Sequence, residues 1–271
     1  MARPVRSHGG AHLLPYSPLT PYAYPSRLPR ERLPPGPDGR PATRWTDPRI
    51  VAAYARRDDS LDRIAVWPAL ADSLRTAHPR RTAGRPNGAV LDLGCGLGGF
   101  ARYLVERNWV RVRAVDRSPA IHRLGEVLHR DAWIHRSLPR RDGSLALPPN
   151  ECSGAACSLL LVHLPHACMI TGMLSEARRV LQPGAPLAVA EPAGLIGWRR
   201  NDPDVPFGAA YVARYPLLDG THLSVTAWRH SPAGIAGCLA SSGFALDEIV
   251  PLTPPGRAES GELMLYRAHA A

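Results

Sequence analysis

The chain has 271 residues, of which 45% are hydrophobic, enough to bury a core, so it is not disordered as a whole and suits one domain with extensions. Its formal charge of +10 is carried by arginine alone, with no lysine, and the arginine pairs at 56–57, 80–81, 140–141, 178–179 and 199–200 are scattered. That reads as solvated surface and argues against a nucleic-acid partner. No run of 18 apolar residues suggests a membrane span, and no apolar stretch follows the basic start as a secretory leader would require. The five cysteines (Cys95, Cys152, Cys157, Cys168, Cys238) lack CxxC spacing, which fits reduced thiols in a cytoplasmic protein better than a disulfide framework or a metal site.

Residues 1–40 form a separate zone with nine prolines. Proline removes backbone donors and biases its neighbours to extended conformations, so neither helix nor central strand is expected there. The arm reads as a surface tail; the functional alternative is a flap carrying Tyr16, Tyr22 and Tyr24 over an active site. Residues 41–271 then make the domain, with N-terminal helices over 41–87, a core over 88–192 and a C-terminal part over 193–271.

Asp47-Pro48 predicts a capped helix start, with Ile50 and Tyr54 on one face. Leu61, Ile64, Ala65 and Leu70 make the apolar stripe of a second helix, bent or restarted at Trp67-Pro68. Ala89–Leu93 is the first strong strand. A helix with Phe100, Tyr103 and Leu104 follows, then a strand over Val110–Val115. Next comes a helix from Ser118-Pro119 using Ile121, Leu124, Val127 and Leu128. One strand is expected within 131–151, another over Ser158–Val162, a helix over His166–Leu181 and a strand over Pro186–Ala190. Such alternation means a doubly wound α/β domain with a mostly parallel sheet. Ser231-Pro232 opens a last helix ending at Ser242-Gly243, and Phe244–Leu252 and Glu262–Ala268 can pair as antiparallel strands.

The informative segment is Val90-Leu-Asp-Leu-Gly-Cys-Gly-Leu-Gly-Gly99. A strand ends beside Asp92, and Gly94, Gly96 and Gly98 allow a tight turn that a ligand can approach closely, before a helix N-terminus aimed at the same place. The glycines alone also satisfy a dinucleotide fingerprint through Gly94, Gly96 and Gly99. Asp92 tips the balance. Its charge would repel a pyrophosphate but would hold an ammonium group, directly or through water, as in S-adenosylmethionine. Asp116, closing the next strand, can accept both ribose hydroxyls of either cofactor.

Here the chain resembles the class I S-adenosylmethionine-dependent methyltransferases. Val90–Phe100 is similar to their first motif, and Val112–Pro119 to their second strand with its ribose-binding acid. Leu161–Pro165, Glu176–Gly184 and Leu187–Pro192 resemble the fourth strand, helix and fifth strand. Thr226–Pro232 and Ser241–Phe244 look like the tail of the small-molecule members. The resemblance implies a seven-stranded sheet with a C-terminal antiparallel pair. It also implies a cofactor site of Asp92, Gly94, Cys95 (through its backbone), Gly96, Gly98, Asp116 and Arg117. Asp142 is the choice for the adenine amino group, with Asp131 as runner-up.

Tyr54 either closes over the methionine end of the cofactor or packs in the core. His163, placed at the end of the fourth strand, either takes a proton from the acceptor or packs beside the cofactor. Glu191, Trp228 and His230 are expected to line the acceptor pocket. The implied reaction is methyl transfer to a small molecule, which needs in-line positioning above all. Rival readings are an NAD-dependent oxidoreductase, a methyltransferase of macromolecules and a non-catalytic cofactor-binding module. The sequence is silent on oligomeric state.

Overall fold

Seven strands lie side by side in the order β3-β2-β1-β4-β5-β9-β8. They are β1 (Ala89–Leu93), β2 (Val112–Val115), β3 (Ile134–Ser137), β4 (Cys152–Ser158), β5 (Pro186–Pro192), β8 (Phe244–Leu252) and β9 (Leu263–Ala270). The first five run parallel, and β9 is antiparallel to both β5 and β8. The expected doubly wound sheet with its C-terminal antiparallel pair is therefore the fold. This computed structural model describes residues 45–76, 88–107, 111–192, 210–252 and 263–271. The proline-rich arm and its tyrosines lie outside the described residues.

The sheet is covered on both faces, as a parallel sheet must be. On one side, Val90, Val112 and Ala114 pack with Leu70 and Leu74 of α2 (Trp67–Thr76) and with Phe100 and Leu104 of α3 (Gly99–Glu106). On the other, Leu91 and Leu93 meet Ile170 and Leu174 of α5 (Ala167–Val180) and Ile235 and Leu239 of α6 (Pro232–Ser241). The period of two within β1 thus points Val90 and Asp92 to one face and Leu91 and Leu93 to the other.

Three helices start as their sequences dictate, with a side-chain cap and proline in the first turn. The caps are Asp47 for α1 (Pro48–Tyr54), Ser118 for α4 (Pro119–Leu128) and Ser231 for α6. Between α1 and α2 the chain makes a π-helical turn over Asp62–Val66. Pro68 has no amide to bond back four residues, and a widened turn before it absorbs that break. Ile64 then turns outward at 55% exposure, whereas Leu70 is buried and Leu61 packs on the core as expected, joined by Val66, Trp67 and Leu74. Val127 is likewise at the surface, 61% exposed.

Two further corrections matter for the site. The fourth strand is not Ser158–Val162 but Cys152–Ser158, earlier by several residues. Its small side chains are required by close packing: a Cβ on Gly154 would stand 3.3 Å from both Leu74 and Pro186. The leucines that read as strand leave the sheet at Leu159 (φ +53) and form a short 3₁₀ turn over Leu161–His163. In addition, β6 (Ala210–Pro216) and β7 (His222–Trp228) pair as a separate antiparallel hairpin that was not anticipated. Leu223, Val225 and Ala227 of β7 alternate inward against Val162, Ile50 and Tyr54.

Candidate active site

The site is built where β1, β2 and β4 end. After Leu93 the chain turns through Gly94, Gly96 and Gly98, all with positive φ. Crowding adds to that requirement, since a Cβ on Gly94 would run into the Leu160 side chain and one on Gly98 into the Arg136 guanidinium. The Gly94 and Cys95 amides donate to the Val115 carbonyl (2.8 and 2.9 Å), Gly96 donates to Asp116 Oδ2 (3.1 Å), and Gly98 to the Cys95 carbonyl (2.9 Å). Four loop amides are thus used inside the protein, which suits a zwitterion or neutral ligand better than a pyrophosphate cradle.

Asp116 also accepts from the Ser118 amide through Oδ1 (2.9 Å), and His122 Nε2 sits 2.9 Å from its carbonyl. Burial raises its carboxyl above the usual range, opposed by those two amide bonds. Asp92 lies 2% exposed on the α3 face, beneath the loop and off the cleft wall. Its Oδ2 has no hydrogen-bond partner, and burial pushes its carboxyl up to about 7 against the pull of Arg136. The Cys95 thiol, also buried, is driven well above its ordinary value.

A cleft of about 760 Å³ opens over this loop. Its lining includes Asp116, Arg117 and the turn Pro139–Gly143, then Trp45, Tyr54, Leu160 and His163, and Met169, Met173 and Glu176 of α5. Asp142 is exposed at its mouth, where its Oδ1 accepts from the Ser144 amide and hydroxyl. Tyr54 stands over the loop, its hydroxyl 3.4 Å from where a Gly96 Cβ would be. It packs edge-on against Trp45 (centroids 5.1 Å), with the Arg57 guanidinium 4.7 Å from its ring centre. Arg57 in turn is held by buried Asp62 at 2.5 Å. Burial raises the Tyr54 hydroxyl despite Arg57.

His163 reaches the cleft from the 3₁₀ turn, five residues beyond the end of β4, not from the strand itself. Trp45 meets it edge-on at 5.0 Å, and Nε2 faces the Tyr215 hydroxyl at 3.4 Å. Burial lowers its pKa to about 4, so the imidazole is neutral above about pH 5.

The acceptor-pocket residues expected from the sequence are placed differently. Glu191 is 0% exposed, and its carboxyl accepts from the amides of Leu161 (2.6 Å) and Val162 (3.4 Å). His230, 2% exposed, places Nε2 2.9 Å from the Leu161 carbonyl. Both therefore hold the turn that carries His163 and do not line the cleft. Trp228 ends β7 outside the cleft wall as well. Trp45, Leu160 and Arg136 were missed. Trp45 had a readable signal in its place just before the α1 cap, whereas the other two are brought in only by the fold.

Residues 90–184 match the family described as a methyltransferase domain. The stretch that holds β1, the glycine loop, Asp116 and β4 is thus similar to a methyltransferase domain. No curated protein matches the chain in sequence. Its fold is similar to that of an S-adenosylmethionine-dependent methyltransferase from Mesorhizobium loti, at 18% identity over 78% of this chain and 100% of that one (TM-score 0.55). It is also similar to a putative methyltransferase from Haloferax volcanii solved with a methyltransferase activator, at 13% identity over 82% and 96% (TM-score 0.55). A third likeness is geranyl diphosphate C-methyltransferase from Streptomyces coelicolor, solved with S-adenosyl-L-homocysteine, at 14% identity over 76% and 77% (TM-score 0.51).

The cofactor that goes with this domain is S-adenosylmethionine, and the residues present fit it. Gly94 and Gly96 border the cleft with bare backbone, Asp116 keeps lone pairs free for hydroxyls, and the buried, unpartnered Asp92 oxygen calls for a cation. Among the described residues no helix is long and apolar enough to cross a membrane, and no group of three His, Cys, Asp or Glu could hold a metal.

Proposed function

We propose that this methyltransferase acts on a small-molecule acceptor in the cytoplasm. Support for the acceptor class comes from the cleft. Its volume of about 760 Å³ is within the range of small-ligand pockets, and Trp45, Tyr54, Leu160 and His163 give it an aromatic and apolar wall beside the glycine loop.

In this reading Gly94, Gly96 and Gly98 admit the methionine part of the cofactor, and the Asp92 carboxyl draws its ammonium through the loop or a bridging water. Asp116 accepts the ribose hydroxyls, while Arg117 and Asp142 border the adenine end. Tyr54 closes over the sulfonium. The cofactor supplies the methyl group with its leaving group attached, so the protein's part is alignment and exclusion of water. His163, neutral, offers a ring nitrogen to the acceptor and fixes its approach beside Trp45. It stands too low in basicity to be a strong general base. Transfer of label from methyl-labelled S-adenosylmethionine to a panel of small nucleophiles, with bulk RNA and protein in parallel arms, tests the acceptor class. Label appearing only in RNA or protein would refute it.

Two outcomes follow for single residues. Asp116→Ala should weaken S-adenosylhomocysteine binding by about 1.5–3 kcal/mol, the usual worth of hydrogen bonds to a charged group. Isothermal titration of the variant measures this, and unchanged affinity would remove Asp116 from the site. For His163, the saturated rate should have no histidine inflection between pH 6 and 8. His163→Ala should cost about tenfold or less, well short of the roughly 10²–10⁴ of a general base. A rate rising through pH 6.5 in the wild type and lost in the variant would restore the base role.

A further inference from the structure

Arg136 is outside the motifs that the family resemblance singles out, yet it reaches the back of the glycine loop. It stands on β3 in register with Ala114 of β2, which is in register with Asp92 of β1. The three side chains share one face of the sheet, and only the Ala114 methyl separates the other two. Two strand spacings put about 10 Å between the β1 and β3 backbones, a span that an arginine side chain can bridge. Nη2 donates to the carbonyls of Leu97 in the loop (2.8 Å) and Gly125 in α4 (3.3 Å), and Nη1 is 4.0 Å from Cys95 Sγ.

The surroundings are cut to fit this guanidinium. A Cβ at Gly98 would overlap it, and one at Gly125 would stand 2.7 Å from Nη1 and 2.8 Å from the Leu97 carbonyl. Glycine inside a helix costs about 0.5–1 kcal/mol relative to alanine, so Gly125 in α4 is a helix weakness matched by a space requirement. Arg136 makes no ion pair with a carboxylate within 4.0 Å among the described residues. Its charge acts on Asp92 from across Ala114.

We propose that Arg136 is a positioning residue for the cofactor: it fixes the Leu97 carbonyl, and with it the loop, and its charge keeps Asp92 available as an anion beneath that loop. The proposal rests on the reading that this loop holds S-adenosylmethionine. Asp92 is faced by Arg136 from β3, Asp116 from the end of β2, Cys95 from the loop, Cys157 from β4 and the Ala101 amide from α3. Arg136 is the one cation among them. Binding of an ammonium needs the ionised carboxyl, so affinity should rise with pH as Asp92 deprotonates and level off above that.

The test is the affinity for S-adenosylhomocysteine between pH 6 and 9, by calorimetry, on the wild type, Arg136→Met, Arg136→Lys and Gly125→Ala. Arg136→Met should bind about tenfold more weakly at pH 8 and raise the pH of half-maximal affinity by about 1, as loss of a nearby opposite charge does. Arg136→Lys should restore that pH but not the full affinity, because an ammonium lacks the fork that holds two carbonyls. Gly125→Ala favours the helix by propensity yet should weaken binding by displacing the guanidinium. The rate at saturating cofactor should change much less than the affinity in all three. Should Arg136→Met fail to fold, Arg136→Lys and Gly125→Ala carry the comparison. Variants that lose thermal stability but keep wild-type affinity and pH midpoint would overturn the proposal alone. A wild type that does not bind S-adenosylhomocysteine would overturn the loop reading and the proposal with it.

Discussion

Asp92→Asn should raise the melting temperature of the cofactor-free protein at pH 8 while weakening its hold on S-adenosylhomocysteine. The Asp92 carboxyl titrates near 7 in the folded chain and at an ordinary 3.8 when unfolded, with burial the main cause. For an acid whose folded pKa is raised, the fold prefers the protonated form. The penalty is absent below the unfolded pKa, grows as pH rises and is complete above the folded one. At 1.36 kcal/mol for each pH unit between the two values, it comes to about 4 kcal/mol at pH 8.

Asparagine removes that penalty but leaves an amide without an acceptor beside the site of the orphaned Oδ2, at a cost of about 1–3 kcal/mol. The net gain is of order 1–3 kcal/mol at pH 8, or several degrees in melting temperature for a domain of this size. Near pH 4 the relief vanishes and the cost remains, so the order of stabilities should reverse. Binding should fall about tenfold or more, because the cation loses its counter-charge. Thermal unfolding at pH 4 and pH 8, with calorimetry alongside, measures both. An unaltered affinity would mean that Asp92 serves the fold and not the cofactor.

Glu191→Ala should destabilise the protein by about 3–5 kcal/mol, adding unpaired buried amides to a cavity. Its carboxyl accepts from Leu161 and Val162, and burial pushes it up to about 8, so it is largely protonated at pH 6–7. Glutamine keeps the shape and one acceptor oxygen for the Leu161 amide, but its NH2 group cannot accept from Val162. Glu191→Gln should therefore lose about 1–2 kcal/mol at pH 6, less than Glu191→Ala. Denaturant unfolding of both variants decides the matter. Turnover should drop with Glu191→Ala even where it remains folded, since the turn carrying His163 loses its anchor. Equal stability of the two variants would show that the clamp carries no weight.

What was legible in the sequence were features set by neighbours in the chain. The Asp47, Ser118 and Ser231 caps, the glycine turn and the alternation of strands with helices were readable because each depends on local backbone demands. Asp116 could be placed beside that turn for the same reason, as the residue that follows the second strand. The fourth strand was misplaced because apolar leucines look alike in a strand and in a buried turn, whereas the true strand is made of small residues chosen by packing from both faces. Glu191 was read as a pocket residue from its place after the fifth strand, and His230 from the likeness of Thr226–Pro232 to the small-molecule members. Only the folded chain turns their polar atoms onto the Leu161 backbone, 30 and 69 residues away.

The sequence by itself determined the sheet class, the glycine loop and the placing of Asp92 and Asp116 next to it. Tertiary structure alone decided the rest, because the deciding quantities are burial and register between strands distant in sequence. Burial moves His163 to about 4 and Asp92 to about 7. Register sets Arg136, Ala114 and Asp92 in one row, where a guanidinium from β3 can reach a loop that follows β1.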